Sequence, residues 1–101
     1  MYKEILRKHE VKQTPDFTLK VINYELGSVC RNMIYGERFG TTGYTEDKKL
    51  EMADLLTQVG LWIEQNGYEV EELKAIGLER FDHRIAEVKK KMIERMCLER
   101  E

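Results

Sequence analysis

The amino-acid sequence predicts an all-α helical bundle, and three observations lead to this fold class. Apolar residues recur at intervals of three and four, which is the period of an amphipathic helix. The one proline and most of the seven glycines fall at the ends of these periodic segments. No segment has the alternation that is typical of a strand. With 101 residues, 42% of them apolar, the chain suits a single domain over residues 1–101.

The first long helix is predicted over residues 15–35. Thr14 suits the N-cap and Pro15 the first helical position, while Asp16 complements the positive end of the helix dipole. Apolar residues then continue at helical spacing until Gly36, which opens the glycine-rich loop GERFGTTGY. The opening segment YKEILRKH is predicted to form a further short helical piece.

The second long helix is predicted over residues 45–66, antiparallel to the first. It begins at a Thr45 cap and stops at Asn66-Gly67, because both residues tolerate the left-handed conformation. It is apolar on more than one side, and one short chain cannot cover that surface. We therefore expect a homo-oligomer, either a dimer or a dimer of dimers, to complete the bundle.

Two more helices are predicted after Gly67. The segment YEVEELKAIG is expected to form a short third helix that ends at Gly77. The last helix is expected over residues 78–98, because apolar residues recur there along one side, from Phe81 to Met96.

Charge and composition exclude several classes of partner. The net charge of −2, with 36% charged residues, argues against general nucleic-acid binding, which needs a basic excess. No apolar run reaches the length of a membrane span, and the opening residues lack a secretory hydrophobic region. Cys30 and Cys97 have no metal-ligand spacing around them. We therefore expect a cytoplasmic protein with reduced thiols and no membrane partner.

Two carboxylates within an otherwise apolar helix are the most informative feature for function. Glu51 and Asp54 lie one turn apart on the second long helix, and Glu25 borders the apolar side of the first. If the two helices are antiparallel neighbours, these acids converge and repel one another unless a cation such as Mg²⁺ binds between them. Alternatively, Glu51 and Asp54 are solvated acids paired with Lys48 or Lys49.

The residues around these acids resemble a known family. YELGS at 24–28 and EMAD at 51–54, with 22 residues between them, resemble the motifs of the MazG-like, all-α nucleoside triphosphate pyrophosphohydrolases. That family has E-E-x-x-E on one helix and E-x-x-D on the next. The second motif matches fully. In the first motif Tyr24 and Ser28 replace the first and third glutamates, and Glu25 keeps the second.

The resemblance, which covers roughly residues 15–98, implies a reaction and a cofactor. The family hydrolyses a nucleoside triphosphate to the monophosphate and pyrophosphate, using Mg²⁺ that acids of both motifs hold. Carried over, Glu25, Glu51 and Asp54 are the expected metal ligands and catalytic residues, and Mn²⁺ is a possible substitute for Mg²⁺. Asp47 and Glu37 are candidate replacements for the missing acids.

Two rival interpretations follow from the altered first motif. One is a MazG-like nucleotide-binding or helical interaction protein that lacks a complete metal site. The other is a helical dimer without a ligand, in which the acids belong to the solvated surface. The missing glutamates favour the first rival, whereas the intact E-x-x-D favours the enzyme.

Overall fold

The all-α prediction is confirmed by the computed structural model, which describes residues 1–39 and 46–100. The described residues form four helices and no strand. The helices are α1 (Tyr2–Lys8), α2 (Pro15–Phe39), α3 (Glu46–Gln65) and α4 (Val70–Arg100). None of these helices is both long and apolar enough to cross a membrane.

Helix α2 begins where the sequence predicts and extends further than expected. Thr14 Oγ1 accepts a hydrogen bond from the backbone N–H of Phe17 at 3.1 Å, which satisfies a free donor of the first turn. Gly36 does not end the helix, which continues to Phe39. A single glycine costs only about 1 kcal/mol in a helix, and the following Glu and Arg are good helix formers. The predicted cap at Thr45 lies outside the described residues.

The prediction of a helix break at Gly77 is wrong. One continuous helix, α4, replaces the short third helix and the separate helix over 78–98. The reason is again that one glycine, with no proline nearby, is outweighed by the strong helix formers around it. The glycine that does end a helix is Gly67, with φ of +83°. The Gly67 N–H donates to Glu64 O at 3.0 Å and the Tyr68 N–H to Ile63 O at 3.2 Å, which is a Schellman motif closing α3.

The chain divides into two compact units, residues 1–68 and 69–101. In the first unit α2 and α3 pack against each other. Before α2, the Gln13 carbonyl accepts a hydrogen bond from Gln65 Nε2 at 2.8 Å, at the end of α3. Late in α2, Asn32 Nδ2 donates to Glu51 Oε1 at 2.7 Å, early in α3. These two contacts make the helices antiparallel, as predicted.

The buried interior of the first unit is small. Thr18 is fully buried and Leu61 is 4% exposed. Helix α1 adds to this interior by packing on α3, where the ring of Tyr2 lies against Gly60.

The second unit consists of α4 and one short preceding segment. From Lys74 to Glu99 its side chains are exposed. The exposed side chains include nine large apolar residues: Ile76, Leu78, Phe81, Ile85, Val88, Met92, Ile93, Met96 and Leu98. The prediction of one domain over residues 1–101 stays a prediction.

Candidate functional site

Glu51 and Asp54 lie on α3 and differ in their surroundings. Glu51 is half-buried and Asp54 is exposed. Asn32 Nδ2, on α2, donates a hydrogen bond to Glu51 Oε1 at 2.7 Å. A neutral amide therefore fixes the orientation of the Glu51 carboxylate and leaves its negative charge uncompensated by this bond. The sequence predicted these acids either as metal ligands or as solvated acids, and neither prediction included this contact. Asn32 is 19 positions from Glu51, so no local sequence pattern indicates that the two side chains meet.

The opposite wall of the candidate site is one face of α2. Ser28 precedes Asn32 by four residues and Glu25 precedes it by seven, so all three lie on the same side of the helix. Because Asn32 contacts α3, this is the side that faces α3. Ser28 and Glu25 are both half-buried, which agrees with that placement.

The hydrogen bond between Asn32 and Glu51 also fixes which residues lie level with each other. In an antiparallel pair, moving back along α2 and forward along α3 leads in the same direction. Ser28 is about 6 Å from Asn32 along the axis, and Asp54 is about 4.5 Å from Glu51, at 1.5 Å per residue. Ser28 and Asp54 are therefore nearly level. Glu25 lies about 10 Å from Asn32, one further turn along.

This register places the three expected acids at different levels of the helix pair. Among the described residues, no group of three or more His, Cys, Asp and Glu side chains is arranged to hold a metal ion. Carboxylates are suitable ligands for Mg²⁺, but the position level with Asp54 holds a serine, and Glu25 is one turn away. The assignment of Glu25, Glu51 and Asp54 as metal ligands therefore stays a prediction.

Of the two candidate replacement acids, Glu37 and Asp47, only Glu37 has a side chain among the described residues. Glu37 is exposed, and it lies near the C-terminal end of α2, twelve residues after Glu25. The side chain of Asp47 lies outside the described residues, so its suggested role stays a prediction.

Comparisons of the chain with protein-family models, with curated proteins and with solved structures find no match. The MazG-like resemblance therefore depends on the motif segments at 24–28 and 51–54.

Proposed function

We propose that the chain is a subunit of a MazG-like nucleotide pyrophosphohydrolase. It would hydrolyse a nucleoside triphosphate to the monophosphate and pyrophosphate, with Mg²⁺ or Mn²⁺ as the required cation. The observation that carries this proposal is the Asn32–Glu51 hydrogen bond of 2.7 Å. It supports the proposal because it sets a register of α2 against α3 in which Ser28, at the end of the first motif segment, lies nearly level with Asp54, at the end of the second.

The reaction makes a defined demand on the residues of this chain. A water oxygen bonds to one phosphorus of the α–β anhydride, the bridging oxygen leaves with the other phosphorus, and the water loses a proton. Asp54 is exposed, so its carboxylate is the candidate to accept that proton. Asn32 is a positioning residue, since it orients Glu51 rather than the substrate.

Assembly and location form part of the proposal. Exposed apolar side chains on α2, α3 and α4, such as Leu26, Leu56 and Ile85, support a homo-oligomer, either a dimer or a dimer of dimers. A nucleotide substrate and reduced cysteines fit a cytoplasmic protein.

A second candidate function is favoured by the incomplete acid set. Ser28, which replaces a motif glutamate, lies level with Asp54 and supplies no carboxylate there. In this second candidate, the chain is a nucleotide-binding or helical interaction protein that keeps the helix arrangement of the family without its activity.

The decisive experiment compares three proteins in an assay of pyrophosphate release. Wild type, Asp54→Asn and Ser28→Glu are incubated with a panel of nucleoside triphosphates and Mg²⁺ or Mn²⁺. We expect slow release by wild type, none by Asp54→Asn, and about tenfold or more faster release by Ser28→Glu, because the added carboxylate is level with Asp54. Glu87→Gln, an exposed acid on α4, is the matched control and should behave as wild type.

The outcomes separate the two candidates. If only Ser28→Glu releases pyrophosphate, the natural chain is the weakened binding protein of the second candidate. If neither wild type nor Ser28→Glu releases it from any nucleotide, the enzyme proposal is wrong.

Metal binding is tested independently of turnover by thermal unfolding. A cation that binds only the folded state stabilises it by mass action, so millimolar Mg²⁺ should raise the melting temperature of wild type. Asp54→Asn should reduce that shift and leave the stability of the metal-free protein unchanged or slightly higher, since it removes a like charge. An equal shift in both proteins would contradict a role for Asp54 in binding the cation.

A further inference from the structure

A second candidate site lies at the other end of the α2–α3 pair. A cavity of about 610 Å³ is lined by α1, by the segment 10–14, by Pro15 at the start of α2 and by Gln65 at the end of α3. Gln65 is eleven residues from Asp54, which is about 16 Å along α3. The cavity is therefore separate from the candidate hydrolase site. Its volume lies within the range of small-molecule sites, roughly 300–1,000 Å³.

The charges around this cavity are unbalanced. Lys3, Arg7 and Lys12 line it together with one acid, Glu10, so its lining carries three positive charges against one negative and a net charge of +2. None of these four side chains forms an ion pair within the described part of the chain. A net positive charge around one concave surface attracts an anion.

Apolar side chains form part of the wall of this cavity. Leu6, Val11 and Pro15 provide apolar surface. Gln65 Nε2 is already used, because it donates to the carbonyl of Gln13 at 2.8 Å. An inorganic anion would bind the cationic side chains but would leave the apolar side chains exposed to water, whereas an anion with an apolar body would cover them.

We propose that this cavity binds an organic phosphate monoester with an apolar or aromatic body. A phosphate monoester carries a charge of about −1.5 to −2 at pH 7, which matches the net charge of +2 around the cavity. The phosphate contacts Lys3, Arg7 and Lys12, and the body packs against Leu6 and Val11. Because the cations are exposed, binding weakens with salt.

The probe for this proposal is 1-naphthyl phosphate, titrated into uniformly ¹⁵N-labelled protein and followed by amide chemical shifts. We expect shifts confined to residues 3–15 and to Gln65. Inorganic phosphate, 1-naphthol and 1-naphthoate each lack one part of the ligand, so each should bind at least about tenfold more weakly. Equal binding of any one of these three would overturn the phosphate-monoester assignment, as would shifts located mainly on α4.

A pair of double variants tests the role of the cations. Arg7→Ala with Lys12→Ala should raise the dissociation constant of 1-naphthyl phosphate about tenfold or more and remove most of its salt dependence. Lys89→Ala with Lys90→Ala, on exposed positions of α4, makes the same change in net charge and should bind as wild type. Equal weakening in both double variants would contradict a local site. Wild-type binding that does not change between about 20 mM and about 300 mM salt would contradict it independently of any variant.

Discussion

Glu64 is the residue that ties the start of the chain to α3. Its carboxylate accepts hydrogen bonds from the backbone N–H groups of Tyr2, at 2.9 Å, and Lys3, at 3.2 Å. Its side chain is only 15% exposed. Burial raises the pKa of Glu64, but the two N–H donors and the Met1 amino group together outweigh burial and lower this pKa below its usual value.

The sign of this pKa change predicts a pH dependence of stability. A group with a lowered folded-state pKa stabilises the protein above its unfolded pKa, about 4.3 for Glu, and loses this contribution as the pH falls through the folded value. Glu64→Gln should therefore lower the free energy of unfolding by about 1 kcal/mol at neutral pH, as for loss of a helix cap. The difference from wild type should shrink in strong acid. Urea unfolding of wild type and Glu64→Gln, at neutral pH and in acid, measures this difference in the free energy of unfolding. A difference that does not change with pH would contradict the prediction.

Gly60 is the residue at which the ring of Tyr2, on α1, lies against α3. A Cβ atom built on Gly60 would lie 2.5 Å from Cε2 and 2.7 Å from Cζ of Tyr2. Gly60→Ala should therefore displace the Tyr2 ring and lower the melting temperature, although alanine is the better helix former. In a Tyr2→Ala background the obstruction is gone, so the same substitution should stabilise by up to about 1 kcal/mol. If Gly60→Ala changes stability equally in both backgrounds, the contact with the Tyr2 ring does not determine the effect of this substitution.

At the scale of elements, local signals predicted where helices begin better than where they end. Thr14-Pro15 marks the start of α2 because a cap and a fixed φ act within a few residues. Gly36 and Gly77 were misjudged as ends, since the cost of one glycine is smaller than the summed preference of its neighbours. Gly67 ended its helix because it adopts positive φ, and its own N–H and that of Tyr68 close a Schellman motif.

The candidate site was predictable only within each helix. The i, i+3 spacing of Glu51 and Asp54 follows from the helix period, so the sequence alone places them together. The register of α2 against α3 depends on packing between distant segments, and no local pattern encodes it. For this reason the sequence did not predict the contact between Asn32 and Glu51, or that Ser28 lies nearer than Glu25 to the level of Asp54.

Continuity of α4 through Gly77 is tested by one substitution. A Cβ on Gly77 would meet no atom within 4 Å, and the residue has helical rather than positive φ. Gly77→Ala should therefore increase helical circular dichroism and raise stability by roughly 0.5–1 kcal/mol. If Gly77 ended a helix in the left-handed conformation, alanine would instead destabilise the protein. Gly67→Ala, at a positive φ, is the matched control and should destabilise it.

At the scale of the whole molecule, few large apolar side chains of the described residues are buried. Leu61 is the one buried large apolar residue of the described part. Burial of apolar surface must offset about 1–2 kcal/mol of backbone entropy for each ordered residue. Long helices in proteins gain most of their stability from packing of an apolar side, and α4, with 31 residues, has an exposed apolar side. We therefore predict that association with other chains supplies further burial.

The spacing of apolar residues on α4 predicts the surface through which the chain would associate. Leu78, Phe81, Ile85, Val88 and Met92 follow one another at intervals of three and four, which is the spacing of a coiled-coil seam. We predict that this stripe packs against a second copy of the chain. Light scattering should then give a mass of at least about 24 kDa, twice the 12.0 kDa of one chain. A mass near that of one chain at micromolar concentration would contradict oligomerisation.

Ile85 lies at the centre of the stripe, so it provides the sharpest test of this interface. Ile85→Asp introduces a charge that would be desolvated and unpaired on association, which costs several kcal/mol in each chain. We expect the dissociation constant to rise at least tenfold, measured by sedimentation equilibrium. Glu87→Lys, two residues away and outside the stripe, is the control and should leave the assembly intact. If Ile85→Asp retains the wild-type mass at micromolar concentration, the chain associates through another surface, and the exposed apolar residues of α2 and α3 become the interface to test.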